Sequence, residues 1–186
     1  MTVDELLNAD ILVTGKNLRL HRAATKADLD YIIDLEYKAE NVKFIVPFDR
    51  DFHQKLIEES KASIDIIVEE IATGEKVGYL LLTGLKTDAK EAEWTHVIIG
   101  KKGKGYGHEA MKLLKKLVFA ELKFHRAWLD CKDYNERALH LYESEGMVRE
   151  ALLRETIITN GVYENLVVLG ILDREYETRK QQGLEL

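Results

Sequence analysis

Val97-Ile98-Ile99-Gly100-Lys101-Lys102-Gly103-Lys104-Gly105-Tyr106-Gly107-His108-Glu109-Ala110-Met111 is the stretch from which the rest of the chain can be read. It starts as an apolar strand and passes through a basic loop carrying four glycines. It then opens a helix with apolar residues at Ala110, Met111, Leu114, Leu117 and Val118. That order builds a place to hold an anion. The first backbone N–H groups of a helix lack an intrahelical acceptor, and the helix dipole adds partial positive charge at the same end. Gly103, Gly105 and Gly107 let the backbone curl and a ligand approach without a Cβ in the way. Lys101, Lys102 and Lys104 add whole charges.

Several phosphate-binding patterns do not fit. A Walker A loop requires Ser or Thr after Gly-Lys, and none follows here. A dinucleotide fingerprint requires G-x-G-x-x-G, with an acidic residue about 20 positions on. The run Gly103 to Gly107 is one residue too tight for it, and Asp130 comes too late. The His-Arg-Asp partner of a protein kinase is absent.

A second motif narrows the reading. About 30 residues downstream stands Asn135-Glu136-Arg137-Ala138-Leu139-His140-Leu141-Tyr142-Glu143-Ser144-Glu145-Gly146-Met147. Lys102-Gly103-Lys104-Gly105-Tyr106-Gly107 resembles the Gln/Arg-x-x-Gly-x-Gly/Ala acyl-CoA pyrophosphate loop of the GCN5-related N-acetyltransferase (GNAT) superfamily, with Lys in the first position. The downstream segment resembles that superfamily's Asn-x-x-Ala-x-x-x-Tyr-Glu-x-x-Gly-Phe, with Met147 in the place of Phe. The resemblance runs from Asn17 to Tyr176 and is nearest to the ribosomal-protein and spermidine N-acetyltransferase branch. It implies an α/β (α+β) class and a GNAT fold: a mixed central sheet of about seven strands flanked by about four helices. It also implies that two central parallel strands, Glu91–Ile99 and Ala127–Cys131, splay to bind acyl-CoA.

The pattern along the chain agrees. Thr2-Val3-Asp4-Glu5 reads as a capping box, so residues 1–16 form an N-terminal arm or short helix. Asn17–Arg22 alternates as a strand. Thr25 and Asp28 open a helix carrying Leu29, Ile32, Ile33 and Leu35, and Asp51 opens another over Phe52–Ser60. Ile64–Glu70, Val77–Leu85 and Glu91–Ile99 read as strands, followed by a helix from Gly107 to Leu122. Ala127–Cys131 is a short apolar strand of the kind buried on both faces. A helix over Arg137–Glu145 ends at Gly146. Val148–Ile158 and Tyr163–Leu172 form a hairpin through Asn160-Gly161. The acetyltransferase domain spans 17–176, and the polar tail 177–186 is expected to fray.

Composition sets outer bounds. With 186 residues, 46% hydrophobic and 32% charged, the chain suits one globular domain. A net charge of −6 argues against general nucleic-acid binding. No apolar run reaches the length of a membrane helix. One cysteine excludes an intrachain disulfide and suits a cytoplasmic location. The six histidines show no metal-ligand spacing, so no metal is expected.

Acetyl transfer from acetyl-CoA to an amine requires a polarised carbonyl, a deprotonated amine and a protonated leaving thiolate. The resemblance implies that the pantetheine arm lies along Val97, Ile98 and Ile99, where a backbone N–H, Val97 or a neighbour, faces the thioester oxygen. It implies diphosphate contacts from Lys102, Gly103, Lys104, Gly105, Tyr106 and Gly107, with His108 near the phosphates. Asn135, Ala138 and Tyr142 share a helix face at i, i+3, i+7. The family sets that face against CoA: Asn135 bonds the pantetheine, Ala138 leaves room, and Tyr142 protonates the thiolate. Glu93 is the candidate base, because Glu91, Glu93 and Thr95 alternate onto one face with Val97. His96 is the alternative. Strict alternation sends it to the opposite face, an argument that a bulge in this strand would overturn. Cys131 reads as a core thiol, and Lys112, Lys115, Lys116 and Lys123 as a wet helix face.

These readings give an acetyl-CoA-dependent N-acetyltransferase working by direct attack in a ternary complex. The acceptor is a small-molecule or peptide amine: a polyamine, an amino sugar, a free amino acid or a protein N-terminus. Glu36, Glu40, Asp49 and Asp51 favour a cationic one. The competing reading is a non-catalytic acyl-CoA sensor on the same scaffold, and transfer of a longer acyl group is a third. Where relatives carry Tyr-x-Asp, this chain has Tyr163-Glu164-Asn165. Relatives also commonly form a homodimer through the final strands.

Overall fold

The computed structural model describes residues 1–186. In chain order these form α1 (Val3–Asn8), β1 (Ile11–Thr14), β2 (Leu18–Arg22), α2 (Lys26–Glu36), α3 (Arg50–Glu59), β3 (Ile64–Glu70), β4 (Lys76–Thr83), β5 (Glu91–Ile99), α4 (Tyr106–Lys115), β6 (Arg126–Lys132), α5 (Glu136–Ser144), β7 (Val148–Thr159), β8 (Val162–Leu172) and α6 (Asp173–Gln181). Local chemistry sets the helix starts. The Thr25 hydroxyl accepts from the Asp28 N–H at 3.1 Å, and the Asp28 carboxylate accepts from the Thr25 N–H at 2.9 Å. Thr2 and Glu5 repeat the arrangement at α1, satisfying donors that a helix start leaves open.

The strands form one eight-stranded sheet in the order β1-β2-β3-β4-β5-β6-β8-β7. Every neighbouring pair is antiparallel except β5 and β6. A parallel pair needs a crossover, and α4 supplies it. The larger core, 34 buried residues, lies on the face covered by α4 and α5. A smaller cluster of seven, including Ile32, Leu35, Tyr79 and Ile98, lies beneath α2 and α3 on the other face. β3 is buried along its whole length, as a strand covered on both faces should be.

The structure departs from the sequence expectation at both ends and in one helix. The sheet has eight strands rather than about seven, and there are six helices rather than about four. β1 pairs with β2, and Leu6, Leu12 and Val13 are buried in the main core, so the N-terminal residues pack as part of the sheet layer. The charged tail does not fray. Its residues form α6, and Glu185 accepts from buried Lys115 and from Arg179 at 2.6 Å. Lys115 was expected on a wet face and is fully buried, donating to the Glu145 carbonyl at 2.8 Å and to its carboxylate at 2.9 Å. After Lys115 the helix widens into a π-helical stretch, Lys116–Glu121. There the Leu122 N–H reaches back five residues to the Leu117 carbonyl at 3.0 Å. The wider turn re-phases the buried face, which is why Leu117, Val118 and Phe119 are buried in succession.

Candidate active site

β5 and β6 pair over only three positions: Glu91 with Arg126, Ala92 with Ala127 and Glu93 with Trp128. Beyond them β5 stays with β4 as far as Ile99, and β6 stays with β8 as far as Lys132. The two strands therefore part at their carboxyl ends, where ligands of α/β sheets bind. The parting opens a cleft of about 710 Å³ walled by the end of β5, the glycine loop, the end of β6 and α5. The Gly100 N–H donates to the Val77 carbonyl at 2.9 Å. Alternation from that bond ties the Ile98 and His96 backbone to β4 and turns the N–H and C=O of Val97 and Ile99 toward the gap. Val97 and Ile99 thus leave their backbone groups unpaired along the cleft edge. Ile98 also lines the cleft, with its backbone tied to β4 and its side chain packed in the smaller cluster.

The glycine loop meets the demand of an anion site. The backbone N–H groups of residues 102–108 donate to no protein acceptor; the first engaged amide is that of Glu109, bonded to the Gly105 carbonyl at 3.3 Å. Gly103 and Gly105 have φ of +82° and +75°, a region that L side chains enter at a cost. A Cβ at either would meet nothing within 4 Å, so these glycines serve the backbone turn rather than a close approach. At Gly107 a Cβ would stand 3.2 Å from Leu141, which lets α4 and α5 close together. The loop is pinned from below. Buried Tyr106 donates its hydroxyl to Glu70, and Lys101 and Lys104 reach the same carboxylate at 3.3 and 3.5 Å. Hydrogen bonds from Tyr106 and Thr73 bring the Glu70 carboxyl down to about 2. Lys102 pairs with Glu40 at 3.1 Å and lines the cleft, whereas Lys104 does not line it. The His108 Nδ1 is 2.8 Å from Glu145.

α5 presents the opposite wall. Asn135 caps the helix, its side-chain oxygen accepting from the Ala138 N–H at 3.4 Å. Asn135, Ala138 and Tyr142 all line the cleft. Tyr142 is buried, and burial pushes its hydroxyl well above the ordinary tyrosine value. Neighbouring Cys131 is buried in the core and its thiol is raised to about 12, chiefly by burial, so it is no thiolate nucleophile.

The third wall overturns the alternation expected along β5. Leu81 stands opposite His96 but Leu82 stands opposite Trp94, so Thr95 is an extra, bulged residue. Trp94 and Ala92 belong to the main core, as Val97 and Ile99 do in part, whereas Ile98 belongs to the other side. Glu93 therefore does not share a face with Val97. It shares one with His96, because a bulge reverses the alternation. Glu93 lies where β5 and β6 are still paired, accepts from Thr83 at 3.2 Å, and does not line the cleft. Burial, then the nearby Asp130 charge, raise its carboxyl. Asp130 and His96 do line the cleft.

The acidic patch expected around the acceptor is largely engaged elsewhere. Glu36, the last residue of α2, is fully buried, Glu40 holds Lys102, and Asp49 caps α3 by accepting from the Phe52 N–H at 2.8 Å. Glu36 instead anchors a buried polar network. It takes His96 Nδ1 at 2.5 Å, the Tyr79 hydroxyl at 2.9 Å and the Phe48 N–H at 2.8 Å, with His53 Nε2 at 3.5 Å. His53 Nδ1 meets Asp65 at 2.9 Å.

Residues 17–148 match the family described as an acetyltransferase (GNAT) domain. The chain belongs to the GNAT acetyltransferases. It is an acyl-CoA-dependent enzyme that transfers the acetyl group of acetyl-CoA to a primary amine. It is 27% identical over 163 residues to the spermidine N(1)-acetyltransferase of Escherichia coli K12, which covers 83% of this chain and 86% of that one. The Vibrio cholerae spermidine N(1)-acetyltransferase is 26% identical over 168 residues, covering 86% and 96%. The solved structure of the Vibrio cholerae spermidine N-acetyltransferase in complex with CoA and spermine matches with a TM-score of 0.78 at 24% identity, covering 88% of this chain and 99% of that one.

Sequence reading of this acetyltransferase missed two buried lysines and the network around Glu36. Lys132 is buried at the cleft end of β6, where it holds Glu164 at 2.8 Å, the Thr159 hydroxyl at 2.9 Å and the Lys43 carbonyl at 3.0 Å. The Glu164 that departs from the family pattern is thus a partner for Lys132, and Asn165 donates to Asp133 at 2.8 Å. No signal in the local sequence marks such pairs, since their members come from separate elements.

Proposed function

We propose that this acetyltransferase acetylates a polyamine such as spermidine, by direct attack of the amine on the donor in a ternary complex. The cleft carries the reading: strands that part after Glu93 and Trp128, facing free amides at residues 102–108. Two faces of the sheet open onto it. Asn135, Ala138, Tyr142 and the glycine loop would hold the donor, with Lys102, His108 and the edge of Val97 and Ile99. The face that carries His96 and Asp130 would hold the acceptor. The carboxylates of Glu93 and Asp130 on that face, the net charge of −6 and the spermidine-acetylating relatives support a cationic acceptor. Tyr142 is the proton source for the leaving thiolate: a hydroxyl that keeps its proton at any working pH, bonded to no protein group. No covalent enzyme intermediate forms, because Cys131 is buried and protonated.

Thiol release measured with acetyl-CoA and an amine panel tests the acceptor. Spermidine and spermine should turn over at least about tenfold better, in kcat/KM, than amino sugars, amino acids or an N-terminal peptide. A peptide or amino sugar outpacing both polyamines would overturn the assignment.

A homodimer through the final strands fits the sheet's free edge. Val148, Leu152 and Ile158 of β7 and Val162 and Tyr163 of β8 are all more than half exposed, an apolar surface larger than scattered single residues explain. Sedimentation at equilibrium reads this directly, and a monomer at micromolar concentration would refute it. No helix is long and apolar enough to cross a membrane, and a lone buried thiol suits the reducing cytoplasm.

A further inference from the structure

We propose that His96 is the catalytic group that deprotonates the acceptor amine, with Glu36 as its positioning residue. The inference rests on the amine-acetylation chemistry above and on no particular amine. Primary amines have pKa values of about 10 and are protonated near neutral pH, so the reaction needs a base in the cleft.

The bulge at Thr95 delivers the imidazole to the cleft wall. One ring nitrogen is committed and the other is free. Nδ1 lies 2.5 Å from Glu36 Oε1, and Nε2 bonds to no protein group. The committed side fixes the tautomer. Glu36 accepts from the Phe48 N–H and the Tyr79 hydroxyl, so it works as an acceptor throughout. Burial alone would raise its carboxyl, but the nearby His53 imidazole and the hydrogen bond from His96 outweigh burial and hold it at about 2. A carboxylate has no proton to give. Nδ1 must therefore be the donor, which leaves the Nε2 lone pair of the neutral ring open to the cleft. The ring is held in place by Phe48, centroids 5.2 Å apart, and by the Tyr79 hydroxyl 3.4 Å from Nδ1. The arrangement is a carboxylate–imidazole pair of the kind that orients general bases on unrelated folds.

The charges around His96 come from every packed element. Glu36 of α2, Asp65 of β3, Glu93 of β5 and Asp130 of β6 face it with carboxyl groups. His53 of α3 sets an imidazolium nearby, and Tyr79 of β4 stays neutral. In the step itself the ammonium N–H bond breaks, its electron pair stays on the amine nitrogen, and the proton goes to Nε2. The resulting imidazolium is balanced by Glu36 through Nδ1–H and returns its proton to water at the open cleft. Glu93, tied to Thr83 behind the bulge, contributes charge and not proton transfer.

The test uses whichever primary amine the wild-type chain acetylates, so an error in the polyamine assignment shows in the wild type's choice of amine and an error here shows in the variants and the histidine spectra. His96→Gln should keep its affinity for CoA, lose about 100-fold in kcat, and lose the acid limb of its kcat/KM–pH profile. Glu36→Gln should lower kcat and displace that limb while leaving the acceptor KM in place, and Glu93→Gln should retain the limb. ¹⁵N-histidine spectra of the wild type should show the Nδ1–H tautomer at His96 in its neutral form, a reading that needs no variant. His96→Gln within roughly threefold of wild-type kcat, a limb abolished by Glu93→Gln, or a neutral His96 protonated on Nε2 would each overturn the proposal.

Discussion

Tyr142 stands on α5 in the cleft wall with its ring buried and its hydroxyl bonded to no protein group. Removing that hydroxyl leaves the ring's packing in place, so the change isolates proton donation. Tyr142→Phe should keep CoA affinity and lose about 100-fold in kcat. A fall in CoA binding with kcat preserved would show a packing role instead. The resemblance to the family motif put Asn135, Ala138 and Tyr142 on one wall, and their helical spacing brings all three to the cleft lining. Gly103 and Gly105 were legible because positive φ selects glycine. Glu93 was set on the face of Val97, and His96 ranked behind it as a base, for a physical reason. A bulge adds one residue to β5 and reverses every side chain past it, and the Glu36 that partners His96 lies 60 residues away in sequence.

At the scale of elements, the glycine loop is a strand-to-helix turn held from beneath by one side chain. Glu70, at the end of β3, takes Tyr106, Lys101 and Lys104 from the loop and Thr73 from its own turn. Glu70→Ala removes that anchor without touching the amides that face the cleft. The KM for acetyl-CoA should rise about tenfold with kcat little changed, as loss of a hydrogen bond or two to a charged group implies. An unchanged KM would show that the loop holds its shape unaided. The sequence announced this turn by its glycines but gave no hint of Glu70, which comes from a strand two positions across the sheet. Lys115 was misread for a similar reason: its partners Glu145 and Glu185 reach it only once α5 and the C-terminal residues have packed.

For the whole molecule, the two faces of the sheet divide the work. The larger core lies behind the proposed donor side, and the smaller carries the buried network of Glu36, His53, Asp65, Tyr79 and His96 beneath α2 and α3. That network links stability to pH. Burial alone would lower the His53 imidazole, but Asp65 and Glu36 raise it from 6.5 to about 9. A raised folded-state value means its contribution is complete below about 6.5 and is lost as pH rises through about 9. Glu36, held at about 2 against an ordinary 4.5, contributes above 4.5 and loses that contribution as pH falls toward 2. The Tm should therefore decline between about pH 6.5 and 9, and His53→Gln should flatten that decline. An equal slope in the variant would remove His53 from the account.

In the proposed donor site, amides 102–108 would grip a diphosphate at the mouth between two parting strands. Backbone ¹⁵N–¹H spectra titrated with CoA, and separately with pantetheine, which lacks the diphosphate, read this most directly. CoA should shift the amides of Gly103 to His108, and pantetheine should shift those of Val97 and Ile99 while leaving the loop unmoved. Saturation with CoA that leaves the loop amides where they were would contradict the account.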